Sequence, residues 1–217
     1  MTGRGRFITF EGPEGSGKST QLRLLGERLR SAGRDVLETQ EPGGTRIGVQ
    51  IRHVLLDSKN RELCPTAELL LMFASRAQNV DELILPALAA GRTVLSDRFT
   101  DSTLVYQGVG RGLGADLVYE LDRIACRGLV PDMTLLIDID AETGLQRARR
   151  RSVRTEDLDT RIEEQGVGFH RRVREAYRQL AFDESARVRL IDGSQTREGV
   201  AEQVWQAVAP LLAITPA

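Results

Sequence analysis

The chain has 217 residues, 41% hydrophobic and 28% charged, which suits one compact domain, residues 1–217, with a sizeable core. A net charge of −1 gives no whole-protein field favouring nucleic acid or an anionic membrane, and no apolar run approaches the ~18 residues of a membrane span. Cys64 and Cys126 are too few for a disulfide framework and "MTGRGRFITF" does not read as a signal peptide, so a reduced, cytoplasmic protein is expected.

The first element is a short buried strand, "RFITF" (6–10). It runs into "EGPEGSGKST", where Gly12 to Ser19 read G-x-x-x-x-G-K-S. A strand before and a helix after are the context a phosphate-binding loop needs. Gly12, Gly15 and Gly17 let the backbone turn its N–H groups inward, Lys18 reaches the β/γ-phosphates, and Ser19 ligates Mg²⁺. Leu22, Leu25 and Leu29 then mark a helix that Gly33 ends. "DVLET" (35–39) is a second strand, followed by the turn "EPGGT", and "IGVQIRHVLL" (47–56) is amphipathic.

Thr66 is the expected N-cap of a long helix, 67–90, bent at Pro86. Phe73 and Arg76 share a face on it. An aromatic ring with an arginine suits a base, but spacing alone favours a core phenylalanine with a rim arginine. The third strand, "TVLSD" (93–97), ends in "SDR". Asp97 there can assist a Mg²⁺ shell and Arg98 can grip a second phosphate, the ordinary alternative being a surface ion pair. Ser102, Thr103, Tyr106 and Gln107 follow within one helical turn of each other and are fit to read sugar and base. "GRGLGA" (110–115) matches a dinucleotide fingerprint but follows no strand, so a loop is expected.

"MTLLIDI" (133–139) is the fourth strand. After it, Arg147, Arg149, Arg150, Arg151 and Arg154 crowd into eight residues. A mobile cover over nucleotide phosphates would sit there, its arginines neutralising charge on a transferring phosphoryl group. No aromatic residues interleave to make it an RNA patch. "VRLID" (188–192) is the fifth strand and 197–212 the closing helix. Strand–helix alternation predicts a five-stranded parallel sheet between two helical layers, an α/β/α sandwich. Each polar cluster follows a strand, so all converge beyond one sheet edge. His53, His170, Cys64 and Cys126 show no metal-ligand spacing.

Together "FEGPEGSGKST", "EPGGT", "LLLMFASRAQ", "SDRFTDSTLVYQGVGRG", "PDMTLLIDIDAETGLQRARRR" and "TRIEE" resemble the bacterial-type thymidylate kinase family over nearly the whole chain. The resemblance implies a P-loop NTPase fold of nucleoside monophosphate kinase type. It implies the reaction ATP + dTMP giving ADP + dTDP, with Mg²⁺, in a homodimer serving dTTP synthesis. Gly12, Pro13, Glu14, Gly15, Ser16, Gly17, Lys18, Ser19 and Thr20 would hold ATP, with Ser19 and Asp97 at the metal.

By position, Phe73 would stack on thymine, Arg76 would meet a thymine carbonyl, and Arg98 with Arg52 would clamp the dTMP phosphate. Ser102, Thr103 and Gln107 would lie on the base side, Tyr106 under the deoxyribose, and Glu14 at the 3′-hydroxyl. The arginine-rich segment 147–157 resembles the LID, the mobile flap of such kinases. Because Gly15 leaves the P-loop without arginine, the catalytic arginine falls to the LID, as Arg149 or Arg151. Two departures stand out. Gln40 replaces the arginine usual before "EPGGT", which weakens the expected anchoring of that loop, and Phe99 replaces a His or Tyr. The rivals are another nucleoside monophosphate or deoxynucleoside kinase and a P-loop switch, although the guanine-reading [NT]-K-x-D motif is absent.

Overall fold

The computed structural model describes residues 4–155 and 160–214. Residues 156 and 157 of the expected LID, and the side chain of Arg154, lie outside the described residues.

The chain alternates strand and helix. β1 (Phe7–Glu11) leads into α1 (Lys18–Ser31), then β2 (Val36–Gln40), α2 (Arg46–Leu56) and α3 (Pro65–Asn79). After α4 (Leu85–Ala89) come β3 (Thr93–Asp97), the short α5 (Thr100–Thr103) and α6 (Ala115–Ala125). β4 (Met133–Asp138), α7 (Ala141–Thr155), α8 (Val167–Asp183), β5 (Val188–Asp192) and α9 (Arg197–Leu211) complete it.

The five strands are all parallel, in the order β2-β3-β1-β4-β5. Every residue of β1 is buried, as a central parallel strand covered on both faces requires. Ile8 and Phe10 pack with Leu22, Leu25 and Leu29 of α1 and with Val204 and Trp205 of α9. Phe7 belongs to the opposite layer, with Leu69 and Phe73 of α3 and Phe99. A third cluster sets Val173 and Tyr177 of α8 against Val105 and Leu136. Register aligns Gln40 and Phe10 with Asp97, and Glu11 with Leu136, so the strand ends meet at one edge.

Three local expectations change. Cys64, not Thr66, caps α3, and Pro65 takes the first helical position, where its fixed φ fits and no N–H is needed. The long helix is interrupted before Pro86 rather than bent at it. The Leu85 N–H reaches back five residues to the Val80 carbonyl, so the widened turn Val80–Ile84 comes first and Pro86 starts a new helical stretch. A second widened turn, Leu104–Gly110, carries Tyr106 and Gln107, with the Arg111 N–H donating to the Tyr106 carbonyl at 2.9 Å. The "GRGLGA" segment follows as the connection into α6.

Candidate active site

The loop between β1 and α1 has the backbone of a phosphate cradle, with Gly12, Gly15 and Gly17 all at positive φ. Lys18 is buried and folds back over it, donating to the carbonyls of Gly12 (3.1 Å) and Pro13 (2.9 Å), with the Ser16 hydroxyl at 3.4 Å. Burial, with Arg98 nearby, lowers the Lys18 ammonium to about 8, against the pull of Glu14 and Asp97.

Gly15 has a packing reason as well as a conformational one. A Cβ there would lie 2.0 Å from the Gly144 carbonyl oxygen of α7. The converse also holds, because a Cβ on Gly144 would lie 2.4 Å from the Glu14 carbonyl. The first turn of α7 therefore sits directly on the P-loop, and no side chain fits at position 15.

Ser19 donates a hydrogen bond to Asp97 at the end of β3. A hydroxyl and a carboxylate are hard oxygen donors, and Mg²⁺ at phosphate sites takes one or two such protein groups besides the substrate. The pair fits that ion.

Among the cavities above the strand ends, two adjoin. One is lined by Gly15, Gly17, Lys18, Ser19, Thr20 and Asp97. The other is lined by Met72, Arg76, Ser102, Thr103, Tyr106 and Gln107, among others. Five side chains belong to both: Glu14, Glu41, Arg52, Arg98 and Arg151. Three guanidinium groups thus stand where the two cavities meet.

Arg98 holds a left-handed backbone, φ 73°, with its N–H on the Phe10 carbonyl (2.9 Å) and its carbonyl accepting from Ser96 (2.7 Å). Its Nη2 donates to Glu14 at 2.5 Å. Burial opposes charge on Glu14, but Arg98, Lys18 and Arg151 outweigh it and hold the carboxyl down at about 2. The Tyr106 hydroxyl donates to Glu14 (3.3 Å), its ring 4.9 Å from the Arg98 guanidinium. Burial pushes the Tyr106 phenol up, against the pull of Arg98, and keeps it protonated.

In the second cavity Arg76 is almost fully buried. Its Nε donates to Glu41 (2.6 Å) and its Nη2 to Thr103 (2.9 Å), and Nη1 is left without a partner. Gln107 donates from its amide nitrogen to Glu68 (2.7 Å), which leaves its amide oxygen as the free acceptor. The "EPGGT" loop is anchored without an arginine at Gln40. Glu41 takes Arg76 and Asn79 (3.0 Å), the Gly43 N–H reaches Ser75 (3.0 Å), and Arg52 donates to the Pro42 carbonyl (3.1 Å).

Phe73 is not among the side chains lining the cavity. It packs in the core, its ring 4.7 Å below the Arg76 guanidinium. Met72 faces the cavity in its place. Phe99 is likewise a core residue, edge-on to Phe7 with centroids 5.0 Å apart. Both candidate LID arginines are exposed, but Arg151 lines both cavities and pairs with Glu163 (2.6 Å), whereas Arg149 lines neither.

Residues 10–204 match the family model of thymidylate kinase. The chain belongs to the thymidylate kinase family. A thymidylate kinase of Pelobacter propionicus is 51% identical over 201 residues, covering 92% of each chain. That of Solidesulfovibrio magneticus is 49% identical over 208 residues, 95% of this chain and all of that one. The crystal structure of thymidylate kinase from Ehrlichia chaffeensis matches with a TM-score of 0.76 at 31% identity, over 94% of this chain and 98% of that one. The expected resemblance, the nucleoside monophosphate kinase fold and the transferase class are borne out. Among the described residues no helix is long and apolar enough to cross a membrane.

Within this thymidylate kinase family site, sequence reasoning missed Glu41, Glu68, Met72 and Glu163. Met72 was open to discovery, since it lies four residues before Arg76 and shares its helical face. Glu41 stood inside a quoted motif with no role given. Glu163, in the quoted "TRIEE" and twelve residues after its partner Arg151, likewise had no role given, while Glu68 carried no local signal, because its partners Gln107, Arg111 and Arg161 come from distant segments.

Proposed function

We propose that this chain transfers the γ-phosphoryl group of ATP to dTMP, giving ADP and dTDP, across the wall shared by the two cavities. That shared wall is the observation that carries the reading. ATP phosphates lie in the Gly12–Thr20 loop, with Lys18 as its cation. The dTMP phosphate lies against Arg98 and Arg52. A dTMP phosphate oxygen attacks the γ-phosphorus in line, the bond from that phosphorus to the β,γ-bridging oxygen breaks, and ADP departs with those electrons. Positioning and charge neutralisation supply most of the rate in such transfers, so no general base is needed.

Arg151 is the LID arginine of this reaction, because it already stands at the junction. Mg²⁺, held by Ser19 with Asp97 assisting, supplies charge neutralisation to the ATP phosphates when bound. Closure of the arginine-rich end of α7 over the site excludes water, the competing nucleophile.

The base is read by polarity. The unpartnered Arg76 Nη1 offers a donor, and the Gln107 oxygen offers an acceptor. Thymine and uracil present a carbonyl beside an imide N–H, which matches. Cytosine presents an amino group beside a bare nitrogen, which opposes both and leaves buried groups unpaired. Met72 lies against the base, Thr103 and Ser102 on its margin, Tyr106 under the sugar, and Glu14 at the 3′-hydroxyl. The homodimer, the cytoplasmic setting, the role in dTTP synthesis and one working domain over 1–217 complete the reading by family resemblance.

ADP release measured with dTMP, dUMP, dCMP, AMP, GMP and thymidine as acceptors tests it. dTMP should lead, dUMP should follow, and dCMP should be slower by at least about 100-fold. Arg98→Ala should raise the dTMP KM and leave the ATP KM near wild type. Equal turnover of dCMP, or ATP release of phosphate with no acceptor, would overturn the assignment.

A further inference from the structure

Glu11, the last residue of β1, is fully buried behind Arg98. It accepts three hydrogen bonds: from the Phe99 N–H (2.7 Å), from the Ser102 hydroxyl, and from the Tyr177 hydroxyl (3.0 Å). The Ser102 and Tyr177 oxygens are 2.8 Å apart, and both lie by Arg98 Nη1, at 2.9 and 3.3 Å.

The direction of donation follows from charge. An ionised carboxylate only accepts, so the two hydroxyl protons are drawn to Glu11 and to the hydroxyl–hydroxyl contact beside it, and neither points at Arg98. Their lone pairs are then left for the guanidinium. Nη1 is held by the two hydroxyls and, at 3.4 Å, the Gly12 carbonyl, while Nη2 is held by Glu14 and, at 3.4 Å, the Tyr106 hydroxyl. This matters because the Arg98 backbone is strained at φ 73°, a cost that surrounding bonds must offset. Tyr177 lines neither cavity. It comes from α8, 1% exposed, its ring edge-on to Tyr106 with centroids 6.2 Å apart.

We propose that Glu11 and Tyr177 are positioning residues, a carboxylate and hydroxyl relay that fixes the Arg98 guanidinium in the orientation that binds the acceptor phosphate. This rests on the reading of Arg98 as that clamp. The relay needs Glu11 ionised. Burial and Asp101 push its carboxyl up to about 7, against Arg98, Ser102 and the Phe99 N–H. The charged and titratable groups facing it are Asp101 and Arg98 on the β3–α5 side, Lys18 of α1, Tyr177 of α8 and Arg187 ahead of β5. Once protonated, Glu11 becomes a donor, one hydroxyl turns its proton towards Arg98, and two donors oppose each other.

Tyr177→Phe removes the hydroxyl and keeps the ring. It should raise the dTMP KM about three- to tenfold, with the ATP KM unchanged. The difference from wild type should narrow as pH falls below about 7, where Glu11 no longer orients the hydroxyls. In an Arg98→Ala background Tyr177→Phe should add nothing to the dTMP KM. Glu11→Gln, checked by thermal melting, should move the dTMP KM in the same direction and serves if Tyr177→Phe folds poorly. An unchanged dTMP KM in both single variants, or effects that simply add to Arg98→Ala, overturns the relay while leaving the clamp. If Arg98→Ala itself leaves the dTMP KM unmoved, the clamp fails and the relay falls with it.

Discussion

Met72 and Phe73 show how much one position matters. The family resemblance set Phe73 against thymine, whereas helical spacing alone favoured a core phenylalanine with a rim arginine. In the structure Phe73 lies with Phe7 and Phe99 and supports the Arg76 guanidinium from below, while Met72 faces the cavity. A thioether makes favourable contact with an aromatic ring and adapts its shape through three rotatable bonds. Met72→Ala should therefore raise the dTMP KM several-fold and leave the melting temperature nearly unchanged. Phe73→Leu should instead act on stability, costing about 1–3 kcal/mol by denaturant titration, because it shrinks a packed core. An unchanged dTMP KM in Met72→Ala would remove Met72 from the base contact. The P-loop and the SDR motif were legible because their chemistry is local to a few residues. Which of two adjacent side chains turns inward was not, since the neighbouring α3 residues satisfy helical spacing either way.

Among the elements, α7 carries Arg151, proposed above as the LID arginine, and is seated on the P-loop by two glycines. A methyl on Gly144 would fall 2.4 Å from the Glu14 carbonyl, backbone that cannot swing aside. Helix propensity works the other way, since alanine in a helix is favoured over glycine by about 1 kcal/mol. The clash wins, because overpacking against rigid atoms costs about 1–3 kcal/mol and shifts the helix. Arg151 lies seven residues further along α7, so a tilt at Gly144 is magnified at the guanidinium. Gly144→Ala should lower kcat about tenfold or more, with a smaller change in dTMP KM, in steady-state assays. A fully active variant would show that α7 is not held there. The strand and helix order was readable from alternating apolar runs. The widened turns at Val80–Ile84 and Leu104–Gly110 were not, because one extra residue in a helical turn leaves no mark in apolar periodicity. Only Pro86, which cannot donate a hydrogen bond, hinted at the first of them.

Across the whole molecule, the sheet gathers its chemistry at the carboxyl ends of the strands, and what lies behind that edge must hold it still. A buried polar line does so. Thr9 of β1 bonds Thr134 of β4 at 2.8 Å, and Thr134 donates to Asp101 of α5 at 3.0 Å. Arg187, just before β5, closes the line with two bonds to Asp101, at 2.7 and 2.8 Å. Sequence reasoning placed "SDRFTDS" at the site as a unit, yet Asp101 turns away from the cavities and ties α5 to the sheet. Removing one partner of a buried ion pair leaves the other charge uncompensated, which costs more than the pair itself contributes. Arg187→Ala should accordingly destabilise the fold by about 3 kcal/mol, or roughly 6–12 °C in melting temperature for a chain of this length. At a temperature where the variant is still folded, kcat should stay within a few-fold of wild type, because no cavity residue is removed. The dTMP KM should rise most near neutral pH. Loss of Arg187 leaves Asp101 more negative towards Glu11, which favours the protonated carboxyl that cannot orient the hydroxyls on Arg98. A variant as stable as wild type would show that the line is solvated, and one that is stable yet inactive would place Arg187 in the chemistry instead.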